Sequence, residues 1–238
     1  MTNPSAYYLA RKPRLLKEFD MYVKYSRTVL VRYFGGENIN TLVAETRQEF
    51  ENLIPQLPFI GGKQPFTQFI VATGLSLAMY RIAKAHGKTV EETGELLYEI
   101  GKAFLKSSPA FLVRLFGRMN FSRFYLNRLR KRANESHQRE YTYDYVFNFI
   151  EGDGKAFDYG VDYLECASCK FLTKQGAPEL APYLCPVDIL YSDALGWGLM
   201  RTTTLAEGAD RCDFRFKRGG STKIAVPVAM QQVIVRSE

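Results

Sequence analysis

The residue types that could carry chemistry are concentrated in one stretch near the end of the 238-residue chain, from Glu165 to Phe216. A cysteine thiolate can act as a nucleophile or bind a metal, and a carboxylate can transfer protons. The stretch holds all four cysteines of the chain together with acidic, basic and hydroxyl side chains: Cys166, Cys169, Cys185, Cys212, Asp188, Arg201, Thr204 and Asp213. It is therefore the predicted site, and the rest of the chain is predicted to position it.

Cys185 is the strongest candidate nucleophile in the sequence. It precedes Pro186, and proline is favoured at the first position of a helix, so Cys185 is predicted to be a helix N-cap. There the sulfur would lie beside free backbone N–H groups and the positive end of the helix dipole, which favour the thiolate. Asp188, in the same turn, would cap the helix, orient a substrate or transfer a proton. The alternative is a structural cap with a buried cysteine.

Cys166 and Cys169 form a Cys-x-x-Cys pair at the junction of a predicted strand and a predicted helix. Such a pair can chelate a metal or act as a redox couple. With Cys185 and Cys212 it could complete a four-thiolate zinc site, although the spacing is not that of a zinc ribbon. The alternative is that Cys169 and Cys212 are small buried apolar residues. We predict no cofactor, with zinc on the four cysteines as the alternative, and we expect Cys166 and Cys185 to approach each other.

Arg201 is predicted to lie on a strand, where it has two possible roles. It can hold a substrate carboxylate with two parallel hydrogen bonds, or it can pair with Asp213 on the facing strand. Thr204, Cys166 and Asp213 are the further candidates for contact with a substrate. These residues, with Cys185 and Asp188 as catalytic groups, make up the predicted site.

The elements that must position the site change in character about halfway along the chain. Residues 1 to about 135 show apolar side chains at helical spacing, and Thr89 with Glu92 reads as a capping box. From Tyr141 the apolar period becomes two, and the predicted order is two strands, two short helices and two strands. We predict an α+β fold in which a helical N-terminal half packs on a C-terminal antiparallel sheet of about four strands.

These patterns divide the chain into three predicted regions within one compact domain. Residues 1–135 form the helical region, and residues 136–218 form the α+β region that contains the cysteines. The two short helices of that region are predicted at 166–174 and 186–195. Residues 219–238 form a tail that could add an edge strand.

The charge of the chain is unevenly distributed. The net charge is +7, and the segment from Ile100 to Asn134 contains no acidic residue. Such a segment can attract phosphates, anionic lipid or small carboxylates, and the alternative is a solvated basic helix face. Its bases are Lys102, Lys106, Arg114, Arg118, Arg123, Arg128, Arg130, Lys131 and Arg132. Nucleic acid is not an expected partner, because the sequence has no Gly-rich phosphate loop, zinc-finger spacing or aromatic-basic RNA motif.

The sequence also predicts the setting of the protein. The uncharged run from Gln64 to Tyr80 is too short and polar for a membrane span, which needs about 20 mostly apolar residues, so a core helix is predicted and no transmembrane segment. No apolar run follows the charges at the N-terminus, so no secretory signal is predicted. Four cysteines are too few for a disulfide scaffold, which predicts a cytoplasmic protein. The sequence leaves open whether the protein forms a homo-oligomer.

One family resembles the chain over roughly Tyr145 to Phe216. The run ECASC, then APELAPYLCPVD, then RTTTLAEGADRCDFRF is similar to the signature of the L-2-amino-thiazoline-4-carboxylic acid hydrolase family. Its pattern falls on Glu165, Cys166, Cys169, Cys185, Asp188, Arg201, Thr202, Thr204, Leu205, Ala206, Gly208, Cys212, Asp213, Phe214 and Arg215. The resemblance implies that water opens a cyclic thiazoline to give an N-carbamoyl cysteine. The ending also distantly resembles vinyl-reductase-type small-molecule-binding domains, which implies ligand sensing.

Two hypotheses follow. The first is a hydrolase that acts on a C=N bond of a small carboxylated heterocycle. Cys185 would attack or hold a metal that activates water, Asp188 would transfer a proton, and Arg201 would hold the substrate carboxylate. The second is a non-catalytic sensor or assembly module that binds a small molecule. It predicts a closed apolar pocket lined by four aromatic rings: Tyr143, Phe147, Tyr159 and Tyr163.

Overall fold

The computed structural model describes residues 4–62 and 65–237, which form eleven α-helices and five β-strands. The helices are α1 (Pro4–Leu9), α2 (Lys12–Phe34), α3 (Ile39–Leu53), α4 (Phe66–Ala85), α5 (Val90–Lys106), α6 (Ala110–Met119), α7 (Arg123–Ser136), α8 (Ala167–Lys174), α9 (Ala181–Leu184), α10 (Val187–Leu195) and α11 (Val228–Ser237). The strands are β1 (Val146–Glu151), β2 (Tyr159–Glu165), β3 (Leu199–Arg201), β4 (Cys212–Phe216) and β5 (Lys223–Ile224).

The predicted α+β fold is confirmed, and the sheet differs from the prediction at one edge. The strand order is β1-β2-β4-β3-β5, and the first four strands pair antiparallel. β5 pairs parallel to β3, so the sheet is mixed and has five strands instead of about four antiparallel ones. The tail adds this two-residue edge strand and then forms α11. It forms a helix because Met230 and Val233, three residues apart, pack on Tyr98 of α5.

Local signals explain where several elements begin and end. The capping box is confirmed, since Thr89 Oγ1 accepts from the N–H of Glu92 at 3.2 Å and Glu92 Oε2 accepts from the N–H of Thr89 at 2.9 Å. After the end of α5, the basic segment forms two helices, α6 and α7, and Ser122 Oγ caps the start of α7 by accepting from the N–H of Tyr125. The first strand begins five residues later than the alternation predicted. The reason is a turn in which the N–H of Asp144 donates to the carbonyl of Tyr141.

One face of the sheet carries rings that pack under the helices. Residues paired across antiparallel strands project to the same face, and Tyr163 is paired with Phe147 on one side and with Cys212 on the other. On the same face, the rings of Tyr159 and Phe216 stack with their centroids 4.7 Å apart. Polar side chains lie beyond these rings, at one end of β2, β3 and β4 and beside the start of α8.

α4 is the predicted core helix. Of the described residues, this helix alone is long and apolar enough to cross a membrane by length and composition, with a mean hydropathy of 1.2. Most of it is buried by α3, α5 and α8, as in the core helix of a globular protein. Gln64, the first residue of the run from which it was predicted, lies outside the described residues.

Candidate functional site

The four cysteines, Asp188 and Arg201 come together where α8, α10 and the sheet meet. Cys166 interacts electrostatically with Cys169, Cys185 and Cys212, and Asp188 interacts with Cys166, Cys185 and Cys212. Arg201 ends β3 and Cys212 begins β4, so the sheet contributes both. Residues that are almost 50 positions apart in sequence therefore form one cluster, as the concentration of reactive types predicted.

Cys166 occupies the N-cap position that favours a thiolate. Its backbone is extended, with φ −113° and ψ 116°, and α8 begins at the next residue. A hydrogen bond from the Cys169 side chain, supported by backbone N–H groups of Cys169 and Ser168, lowers the pKa of the Cys166 thiol below its usual value. The backbone contacts fall short of full cap hydrogen bonds. The same interaction and burial raise the pKa of Cys169, so Cys169 stays protonated and its S–H donates a hydrogen bond to the Cys166 sulfur.

A chain of hydroxyl groups fixes the start of α8. Ser168 Oγ lies 2.8 Å from Tyr145 Oη and 2.7 Å from Thr73 Oγ1, and Thr73 Oγ1 donates to the carbonyl of Phe69 at 2.8 Å. The chain ties the sheet and α4 to the residue between the two cysteines. Sequence reasoning missed Tyr145, Ser168 and Thr73, because nothing in their spacing shows that they meet.

Cys185 is not the N-cap that the sequence predicted. Its backbone is helical, with φ −62° and ψ −32°, because the turn of α9 runs directly into α10, whose N-cap is Pro186. The thiol donates to the carbonyl of Ala181 at 3.6 Å. Burial raises the pKa of Cys185, and Arg201 opposes this only in part. The predicted activation of Cys185 by a helix N-terminus is therefore wrong, and that position belongs to Cys166.

Arg201 forms an ion pair with Asp188 instead of with Asp213. One of its terminal nitrogens contacts the Asp188 carboxylate, and the other donates to the carbonyl of Cys185 at 3.4 Å. The guanidinium lies 5.3 Å from the centre of the Phe214 ring. Arg201 Nε is buried and has no hydrogen-bond partner among the described residues. The alternative in which Arg201 pairs with Asp213 is wrong, because strand alternation places Asp213 on the opposite face of the sheet.

Thr204 and Asp213 hold the connection between β3 and β4. Thr204 Oγ1 accepts from the N–H of Glu207 at 3.2 Å and donates to its carboxylate. Asp213 accepts from the N–H groups of Thr202 and Thr203 at 2.8 and 2.7 Å. Burial alone would raise the pKa of Asp213, but these hydrogen bonds and those of the two threonine hydroxyls hold it below its usual value. Contact of Thr204 and Asp213 with a substrate stays a prediction.

Asp188 lies in a recess that solvent reaches. Burial raises the pKa of its carboxyl against the opposing effect of Arg201, although 34% of the Asp188 side chain remains exposed. A carboxyl that is desolvated and still partly exposed is surrounded by protein on most sides and open to solvent on one side. Cys166 and Cys185, which interact electrostatically with Asp188, are also partly exposed.

Two cavities lie elsewhere along α10. They have volumes of about 490 and 700 Å³ and share Ile189, Asp193, Arg114 and Ile234 in their walls. Neither contains a cysteine or Asp188. The reactive side chains lie at the recess, which is therefore the candidate functional site.

No three His, Cys, Asp or Glu side chains in residues 4–62 and 65–237 are arranged to hold a metal ion. The structure therefore gives no support to a zinc site on Cys166, Cys169, Cys185 and Cys212. Cys212 is buried, its sulfur accepts from the N–H of Leu205 at 3.2 Å, and burial raises its pKa to about 11. It is a neutral thiol near neutral pH, as expected for a cysteine on an apolar strand face.

The four rings predicted to line an apolar pocket mostly fill the core instead. Phe147 and Tyr159 are buried and packed against other rings, with Phe147 between Phe66 and Tyr163. Tyr143 lies under the ammonium group of Lys174, 5.2 Å from the ring centre. The sheet face below the helices is thus closed by ring packing.

Comparison with known proteins gives one match. The family model described as L-2-amino-thiazoline-4-carboxylic acid hydrolase matches residues 68–216. The matched range begins in α4 and ends with β4, so it includes the hydroxyl chain, the cysteines and the ion pair. No curated protein and no solved structure matches the chain.

Proposed function

The chain belongs to the L-2-amino-thiazoline-4-carboxylic acid hydrolase family, and from this premise we propose that it opens the C=N-containing ring of a small carboxylated heterocycle such as L-2-amino-thiazoline-4-carboxylate. The observation that carries the proposal is the Cys166 thiol. It stands at the N-terminus of α8, its pKa is lowered, and it faces Asp188 in a recess open to solvent. This combination is what a cysteine nucleophile requires.

The proposed reaction has two steps. The Cys166 thiolate forms a bond to the ring carbon between nitrogen and sulfur, and the ring C–S bond breaks as a proton passes to the leaving sulfur. Water then adds to the same carbon, and the Cys166 sulfur leaves as the carbon–oxygen bond forms. Together these steps add one water molecule and give an N-carbamoyl cysteine. Nucleophilic catalysis of this kind divides one difficult substitution into two easier ones.

Asp188 is the proposed proton donor for the leaving sulfur. A carboxyl with a raised pKa keeps a proton closer to neutral pH, and the exposed part of this one faces the recess. Cys169 has a separate role in the proposal, since its thiol donates to the Cys166 thiolate and stabilises it. Arg201 holds Asp188 in place through their ion pair, from a side chain that is 1% exposed.

The direct experiment is to incubate the purified protein with L-2-amino-thiazoline-4-carboxylate and measure the N-carbamoyl cysteine formed. Cys166→Ser is expected to abolish turnover, while Cys212→Ala, the matched control with a buried neutral thiol, is expected to retain it. Mass spectrometry of the quenched reaction should find the substrate carbon attached to Cys166. Full activity in Cys166→Ser would overturn the proposed nucleophile, and loss in Cys185→Ala alone would transfer the role to Cys185.

A further inference from the structure

α6 presents its apolar face to solvent. Apolar side chains recur at i, i+3 and i+4 along this helix, a pattern that normally faces a protein core. Here the buried residue of α6 is Gly117, which contacts α10 at Leu195, and the apolar stripe lies on the other side. With one ring from α7 it forms the α6 patch: Phe111, Leu112, Leu115, Phe116, Met119 and Phe124, which are 49–77% exposed.

Bases surround the α6 patch. Arg114 and Arg118 lie on α6 along the edge of the stripe, and Arg123 begins α7 next to Phe124; all three are exposed. Lys106 adds a fourth exposed base at the end of α5. The segment has no acid between Ile100 and Asn134 that could neutralise these charges from within. An exposed apolar surface rimmed by charge of one sign marks a docking surface, and its sign selects the partner.

We propose that the α6 patch docks on a membrane surface that carries anionic lipid. Large apolar side chains on one face of a helix, with arginines at its edge, are the features that bury a helix in the headgroup region. A second copy of the chain fits less well, because a symmetric contact through the patch would bring the same bases of both copies together. The proposal concerns a surface separate from the recess and does not depend on the reaction.

The test is co-sedimentation of the full chain with vesicles of phosphatidylcholine alone and of phosphatidylcholine mixed with phosphatidylserine. Binding is expected to the mixed vesicles and to weaken as salt is added, because anionic lipid attracts bases within a Debye length. Arg118→Gln with Arg123→Gln should lower the partition coefficient roughly 30-fold, since each base near the surface contributes about fivefold. Lys155→Gln with Lys174→Gln, two exposed bases outside the patch, is the matched control and should bind like the wild type.

Phe111→Ser with Phe116→Ser separates insertion from charge attraction alone. This variant should lose most binding to mixed vesicles while its circular dichroism stays that of the wild type, because both rings are exposed. No binding of the wild type to either vesicle would overturn the proposal. So would equal binding by the arginine variant and its control. Loss of an oligomer in the phenylalanine variant, without vesicle binding by the wild type, would assign the patch to an interface between copies.

Discussion

Asp188 and Arg201 form an ion pair that is asymmetric in its access to solvent. The arginine side chain is 1% exposed, whereas the aspartate keeps 34%. Arg201 is therefore fixed behind the carboxylate, which alone of the two can meet a ligand. A charge this deeply buried requires its partner, because removal of one member of a buried pair leaves the other uncompensated.

A double-mutant cycle on this pair should show strong coupling. Arg201→Met leaves the Asp188 carboxylate without its counter-charge in surroundings that already raise its pKa, and should lower the free energy of unfolding near neutral pH by about 3 kcal/mol. Asp188→Asn combined with Arg201→Met should recover at least about 1 kcal/mol of that loss, because no charge is then buried. Urea denaturation of the four proteins measures the cycle. Additive losses in the two single variants would show that the pair is not coupled.

The same carboxyl predicts a pH dependence of stability. Burial raises the folded-state pKa of Asp188 above its unfolded value, so this carboxyl favours the folded protein fully below the unfolded pKa. That contribution is lost as pH rises through the raised pKa. The wild type should therefore lose stability over this acidic window relative to Asp188→Asn. A constant difference between the two proteins across the window would contradict a raised pKa.

Cys166 should dominate the reaction with thiol reagents. Mass spectrometry after brief alkylation near neutral pH should find Cys166 modified before Cys185, because the pKa is lowered at the former and raised at the latter. Cys169→Ala removes the largest cause of the lowered Cys166 pKa. The low-pH limb of the pH profile of kcat/KM should therefore move to higher pH. Cys212→Ala should leave the limb in place. Faster modification of Cys185 than of Cys166 would contradict the assignment.

The hydroxyl chain predicts an order of effects at the start of α8. Ser168→Ala should cost about 1–3 kcal/mol, because it leaves the buried Tyr145 hydroxyl without its partner. Tyr145→Phe removes the Tyr145 hydroxyl itself, so no buried donor is left without a partner. This variant should lose only about 1 kcal/mol of stability. Ser107→Ala, at a hydroxyl outside the chain, is the control. Both chain variants should slow the alkylation of Cys166, and unchanged alkylation in both would show that the chain does not position it.

Gly117 lies at the contact that holds α6 against α10. A Cβ at this position would lie 1.9 Å from the carbonyl oxygen of Leu195, and backbone cannot move aside as a flexible side chain can. In a free helix Gly→Ala would gain about 1 kcal/mol, but this clash should make Gly117→Ala net destabilising by roughly 1–3 kcal/mol. Gly36→Ala, where no atom lies within 4 Å, is the control. Thermal unfolding of both variants measures the difference.

The sequence predicted the elements of this protein better than their contacts. Helical spacing located α2 to α5, and the alternation after Tyr141 located β1 and β2, because both patterns are local. The parallel pairing of β5 was missed, since it depends on how the chain returns to Arg201 after β4. Long-range pairings of this kind leave no local pattern.

The site shows the same limit at the level of single side chains. Reactive residue types pointed to a stretch whose cysteines the fold brings together, and proline directly after Cys185 predicted a helix start there. The short helix α9 removed that start, because Ala181–Leu184 already supplies the preceding helical turn. The N-terminal position at Cys166 was visible as a strand-helix junction. Its partners Tyr145 and Thr73 come from other elements, so only the fold could supply them.

α10 touches both of the surfaces for which a role is proposed. Its first turn carries Asp188 in the recess, and its last residue, Leu195, is the contact of Gly117 on α6. Seven residues separate them, about 10 Å along a rigid helix. If α6 shifts on docking and α10 moves with it as a rigid body, the Asp188 carboxylate moves too. Linkage makes this reciprocal: if a substrate analogue changes vesicle affinity by some factor, vesicles must change analogue affinity by the same factor.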